Sequence, residues 1–152
     1  MAHEDPFAFD TDLRYAPDIR RFLHGSPAIP ALYAARSGFN IINQIGVESI
    51  REKSVRQTGL LIQLAEEAGF NVTSPKNPAD RGGKITVGHT AAAAITRELI
   101  KREFIVDYRP GAGVRISPHF YNTDEELELI IKEMKTIRDT CSLGTEKVGA
   151  AF

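Results

Sequence analysis

Along this chain the spacing of hydrophobic positions changes repeatedly between the helical and the strand period, and the order of those changes predicts a fold. In "SPAIPALYAARSGFNIINQIG", Leu32, Ala35, Phe39, Ile42 and Ile45 recur three or four residues apart, the spacing of one helix face. Ser26 stands where an N-cap is expected, Pro27 at the first helical position and Gly46 at the stop. "VESIREKSVRQTGLLIQLAEEAG" repeats the pattern, with Val47, Ile50, Leu61, Leu64, Ala65 and Ala68 on one stripe and Gly69 as terminator. Short β-type runs follow, "FNVTS" and "KITVGH", separated by the loop-forming "PKNPADRGG". "TAAAAITRELIKR" predicts a helix capped by Thr90, and "EFIVDYR" and "GVRISP" predict two strands joined by the turn "PGAG". Thr123 and Glu126 form a capping box ahead of Leu127, Ile130, Ile131, Met134 and Ile137, one apolar face of a terminal helix. The order α-α-β-β-α-β-β-α predicts an α+β domain in which helices pack on a small, mostly antiparallel sheet.

Residues 1–25 show neither period, yet they carry Phe7, Phe9, Tyr15, Phe22 and Leu23. Such a stretch is expected to wrap a surface that the chain does not itself supply. Residues 141–152 show no pattern and are expected to form a tail. The expected organisation is therefore a trailing segment over 1–25, a domain with its connecting helix over 26–140, and the tail.

Composition narrows the class without naming a function. At 152 residues, 42% hydrophobic and 26% charged, the chain suits one globular domain, and a formal net charge of -1 gives no electrostatic reason for nucleic acid or an anionic membrane as partner. No run of eighteen apolar residues occurs, and "MAHEDPFAFD" lacks the basic and apolar blocks of a secretory signal, so a cytoplasmic location is expected. Cys141 is the single cysteine, which excludes an internal disulfide; it reads as a surface thiol. His3, His24, His89 and His119 lie in four different segments, and no metal site is expected. Neither a nucleophile elbow nor a P-loop is present, so no catalytic residue is assigned, and Gly82 and Gly83 in "RGGKI" simply lead into a strand.

Two positions carry candidate chemistry. In "GVRISPHFYNTDEE", strand alternation sends Val114 and Ile116 to one layer and Arg115 to the other. A guanidinium held in a strand offers a planar fork for a carboxylate; a structural salt bridge to one of the chain's own acids explains the same residue. In "RRFLHGSPAIP", Ser26 at a helix entrance suits a phosphate, since the N-terminal amides are unpaired and the dipole is positive there; an ordinary helix cap is the other reading.

"RRFLHGSPAIPALYAARSGFNII", "RGGKITVGH" and "FIVDYRPGAGVRISPHFYNTDEEL", in this order, resemble the C-terminal part of the class V aminotransferase family of pyridoxal-phosphate enzymes, and within it the kynureninase branch. The resemblance extends to "HEDPFAFD" and so covers nearly the whole chain. It implies the C-terminal small domain of a fold-type I enzyme, with pyridoxal 5'-phosphate as cofactor, an amino acid as substrate and a homodimer that completes the active site. By position in the motif it makes Arg115 the grip on the substrate's α-carboxylate and Ser26 a partner of the cofactor phosphate, with serine in place of the commoner threonine or asparagine. The family's Schiff-base lysine, the acid that pairs with the pyridine nitrogen and the aromatic residue stacked on the ring belong to the large domain that precedes this region. No lysine of this chain sits in a matching motif. The resemblance thus implies a hydrolase that splits the Cβ–Cγ bond of kynurenine-type amino acids and releases alanine, of which this chain supplies recognition and is inactive alone. Another class V aminotransferase or lyase shares Arg115; a desulfurase is disfavoured because Cys141 follows the terminal helix. A stand-alone, non-catalytic amino-acid-binding or dimerisation module is the third reading.

Overall fold

The structure, a computed structural model, describes residues 2–140; the expected tail and Cys141 lie outside them. The chain divides into two compact units, Met1–Ile45 and Gly46–Phe152.

In the first unit, the segment without a period closes on itself. His3 pairs with Tyr15 in an isolated antiparallel bridge, and the amides of Glu4 and Ala16 donate to the carbonyls of Arg14 and Ala2, each at 2.8 Å. A 3-10 turn spans Ile19–Phe22, with Asp18 accepting from the amide of Arg20. Helix α1 covers Ile29–Ile45 and starts later than Ser26 and Pro27 predict. The amide of Ile29 donates to the Pro27 carbonyl at 2.8 Å, a tight turn that takes this acceptor out of the helical ladder, and the first i to i+4 bond runs from Leu32 to Ala28 at 3.2 Å. Ser26 is thus not the N-cap. The apolar face of α1 forms as the period predicts but is not buried: Leu32 is 61% and Phe39 64% exposed.

The second unit holds the core. Helix α2 runs Val47–Glu67, and the chain leaves it through a Schellman motif, with the amide of Gly69 on the Glu66 carbonyl and that of Phe70 on Ala65, both at 2.9 Å. Gly69 takes φ 80°, a left-handed angle that favours glycine, which is why the predicted terminator works. Strands β1 (Asn71–Val72) and β2 (Ile85–Gly88), helix α3 (Ala92–Lys101), strands β3 (Asp107–Arg109) and β4 (Gly113–Ile116) and helix α4 (Asp124–Thr140) follow. The strands form one antiparallel sheet in the order β1-β2-β4-β3. Thus the α+β architecture on a small antiparallel sheet is observed.

One face of the sheet is dry. Ile85 and Val87 from β2 and Val114 and Ile116 from β4 pack with Leu61, Ile62 and Ala65 of α2, Ile95 and Leu99 of α3, and the whole apolar face of α4. All five predicted α4 positions are buried, and Thr123 and Glu126 make the capping box, the Thr123 amide donating to Glu126 at 2.8 Å. Two local expectations fail. Thr90 does not cap α3, which starts after Ala91 with no side-chain cap; the Ala92 amide donates to the His89 carbonyl at 3.0 Å, and the Ala91 amide to the His89 ring Nδ1 at 3.1 Å. Val47 is 62% exposed, whereas Gln57 and Thr58 are buried on α2, because polar loops instead of apolar side chains cover the middle of that helix.

Those loops are tied down by cations. The guanidinium of Arg81, only 6% exposed, donates to the carbonyls of Pro75 and Lys76 at 2.9 and 2.6 Å and to Thr58 Oγ1 at 3.2 Å. Arg51 reaches the carbonyls of Pro78 and Arg81 from α2. Buried polar groups need such partners, and here they fix residues 75–81 against the helix.

Candidate functional site

The β3–β4 hairpin is built by its turn. The Ala112 amide donates to the Arg109 carbonyl at 3.0 Å, with Pro110 and Gly111 between them and Gly111 at φ 76°, the arrangement of a type II turn. This turn sets the register Arg109 opposite Gly113, Tyr108 opposite Val114 and Asp107 opposite Arg115. On the other side of β4, Thr86 stands opposite Arg115, so the arginine is the middle of a three-strand row. Val114 and Ile116 point into the core, and the Arg115 side chain, 30% exposed, lies on the opposite face.

The structural reading of Arg115, an ion pair with one of the chain's own acids, is what the geometry shows. Its Nε donates to Asp107 Oδ1 at 2.9 Å and its Nη2 donates to Asp107 Oδ2, so one edge of the fork is engaged by the chain's own acid. Arg109 donates to the same Oδ2 at 2.9 Å. The two Arg115 bonds use Nε and Nη2, and Nη1 makes no hydrogen bond or ion pair among the described residues. Asp107 escaped the sequence reading; its signal was the turn, since counting back from "PGAG" pairs residue 107 with 115.

Beyond β4 the chain turns through His119, Phe120 and Tyr121, whose rings cluster, those of His119 and Tyr121 stacking at 4.9 Å. Helix α2 holds this turn in place. Lys53 donates to the Phe120 carbonyl at 2.6 Å, Gln57 to the Asn122 carbonyl at 3.0 Å, and Arg56 grips the carboxylate of Asp124 with both terminal nitrogens. The Arg56 contact, with a further hydrogen bond from Gln57, holds the Asp124 carboxyl below its ordinary range. Hydrogen bonds from Asn122 and the Thr123 amide do the same for Glu126.

Ser26 belongs to the first unit. It is exposed, three residues ahead of α1, and its hydroxyl is not consumed in capping that helix. A depression of about 510 Å³ in the same unit is lined by Tyr15, Arg21, Phe22 and Leu23. Two further depressions in the second unit, about 440 and 460 Å³, open beside Gly88 and Tyr108 and beside Phe104 and Tyr121; Arg115 lines none of the three. Among the described residues there is no cluster of three or more groups able to hold a metal ion, and no helix is long and apolar enough to cross a membrane.

Comparison with known proteins adds to this geometry. A Bacillus subtilis protein described as uncharacterized aminotransferase YcbU is 32% identical over 128 residues, which is 83% of this chain and 34% of that protein. Kynureninase of Geobacillus thermodenitrificans is 29% identical over 136 residues, 85% of this chain and 32% of the enzyme. The chain therefore spans about a third of the length of the curated relatives it matches. Among solved structures, a cysteine desulfurase from Thermococcus onnurineus superposes with a TM-score of 0.67 at 22% identity, covering 83% of this chain and 34% of that one, and so shares the fold. The family described as the kynureninase C-terminal domain matches residues 50–134, more than half of the chain and the whole stretch from α2 through the Arg115 hairpin into α4, and to that family the chain belongs.

Proposed function

We propose that the chain works as the C-terminal domain of a pyridoxal-phosphate-dependent hydrolase of the kynureninase type, which splits the Cβ–Cγ bond of a γ-carbonyl amino acid and releases alanine. The observation that carries the reading is the guanidinium of Arg115. It sits mid-strand on the face away from the core, with one edge held and Nη1 making no hydrogen bond or ion pair among the described residues, and so offers a planar receptor for a single carboxylate. A kynurenine-type amino acid presents that group on its α-carbon. Arg115 would bind and orient the substrate, contributing proximity and no covalent step.

The residues present fit one part of a cofactor clamp. Since the first helical bond of α1 uses Ala28, the exposed Ser26 hydroxyl is available to a phosphate oxygen, offered across a homodimer interface. Bound pyridoxal phosphate supplies an electron sink for the bond cleavage. No lysine of this chain sits in the motif of the family's Schiff-base lysine, so the lysine that holds the cofactor is assigned to the rest of a cytoplasmic enzyme. The chain alone is expected to be inactive. In the intact enzyme, Arg115→Lys keeps the charge but loses the fork, and kcat/KM for kynurenine should fall by the equivalent of about 1–3 kcal/mol with cofactor retention unchanged. Kinetics equal to wild type would remove Arg115 from the site and the proposal with it.

A further inference from the structure

The row Thr86, Arg115, Asp107 across three strands gives Asp107 a task that no family assignment requires. An arginine side chain has many rotamers, and its planar head presents two edges, each able to meet one carboxylate. Asp107 occupies the Nε–Nη2 edge with both of its oxygens. Because the guanidinium is flat, pinning that edge also fixes the plane and heading of the Nη1–Nη2 edge, whose Nη1 makes no hydrogen bond or ion pair among the described residues. Charge agrees with geometry. Arg109 and Arg115 share the single carboxylate of Asp107, so the cluster keeps one formal positive charge, the amount that one incoming carboxylate neutralises.

We propose that Asp107 is a positioning residue that holds the Arg115 guanidinium edge-on, so that its free edge receives the carboxylate of an amino-acid ligand. The proposal rests on the reading of Arg115 given above. A salt bridge that only stabilises the hairpin differs from a positioning contact in the sign of one effect. Removing a negative charge beside a cationic receptor strengthens its attraction for an anion by Coulomb's law, whereas releasing the guanidinium weakens binding, because the ligand must then pay to order it.

The test uses the full chain labelled with 15N-arginine, with acetate as the probe, exchanged for chloride at constant ionic strength. The Nε–H signal of Arg115, identified by its loss in Arg115→Lys, should respond saturably to acetate in the wild type. In Asp107→Asn the acetate affinity should fall about two- to tenfold, the factor for ordering one rotamer-rich side chain, against the Coulomb direction. Asp107→Glu keeps a two-oxygen acceptor at a displaced position and should lie between the two. Affinity in Asp107→Asn equal to or tighter than wild type overturns the positioning role, as does an Asp107→Glu affinity no better than that of Asp107→Asn. A wild-type Arg115 signal that ignores acetate sinks the carboxylate reading of Arg115 itself, a failure separable from the other because it precedes any substitution at Asp107.

Discussion

Replacing Gly113 by alanine should cost more stability than any other glycine substitution in the hairpin. Gly113 opens β4 at φ 125°, a conformation that L side chains rarely adopt, and a Cβ added there would sit 2.1 Å from the Val87 carbonyl oxygen and 2.6 Å from its carbon. The neighbour is strand backbone in the middle of the sheet, so it cannot swing aside as a side chain tip would. Backbone strain of this kind costs about 1–3 kcal/mol, and forcing extra volume into a packed region another 1–3 kcal/mol, so a total of about 2–6 kcal/mol is expected. That is a large fraction of the 5–15 kcal/mol or so that stabilises a typical domain. Two glycines calibrate the reasoning. Gly111, at φ 76° with nothing within 4 Å, has the strain without the clash, and Gly111→Ala should cost only about 1–2 kcal/mol. Gly59 lies inside α2 with open space around it, and Gly59→Ala should stabilise by about 0.5–1 kcal/mol. Urea unfolding followed by circular dichroism reads all three, with the midpoint order Gly59→Ala, wild type, Gly111→Ala, Gly113→Ala. A Gly113→Ala midpoint level with that of Gly111→Ala would show that the close approach of β2 to β4 is not real.

Met134 is fully buried in the core, so Met134→Ala should lose about 2–5 kcal/mol in the same assay; a loss under 1 kcal/mol or so would mean that α4 is not seated as described. Because Arg56 and Gln57 depress the Asp124 pKa from its ordinary 3.8, its contribution to stability is complete above that value and disappears as pH falls through the lower folded value. Thermal melts from neutral pH down to about pH 2 should therefore show a shallower acid dependence in Asp124→Asn, and an unchanged slope would dismiss this contact. Ser26→Ala should loosen pyridoxal phosphate in the intact enzyme without lowering the stability of α1, since Ser26 is not its cap; equal retention after dialysis would leave Ser26 without a role. The exposed apolar side chains of Phe7, Phe9, Leu32 and Phe39 should make the isolated chain self-associate, as read by light scattering, and Leu32→Glu with Phe39→Glu should reduce it; a wild-type monomer would show that this surface needs no cover.

What could be read from the amino-acid order was whatever depends on near neighbours. The buried face of α4, its capping box, the Gly69 stop and the type II turn at Pro110 and Gly111 all involve residues within a few positions of one another, where helical period, φ preference and capping chemistry act directly. Alternation in β4 likewise told which way Arg115 points. The remainder waited on tertiary structure, because a period marks which face of a helix is apolar and not which part of it will be covered. The stripe of α2 was drawn through Val47, yet Val47 is exposed, while Gln57 is buried because Asn122 and Asp124, more than sixty residues away, come to meet it. Ser26 and Thr90 do not cap α1 and α3 because the nearby amides of Ile29 and Ala92 turn to the carbonyls of Pro27 and His89 instead. For Arg115, the sequence determined that a guanidinium would stand on the face of its strand opposite Val114 and Ile116; only the pairing of β4 with β2 and β3 made that strand central and decided that Asp107 takes one edge of the guanidinium, since an ion pair needs two strands in register and a single strand carries no information about its neighbour.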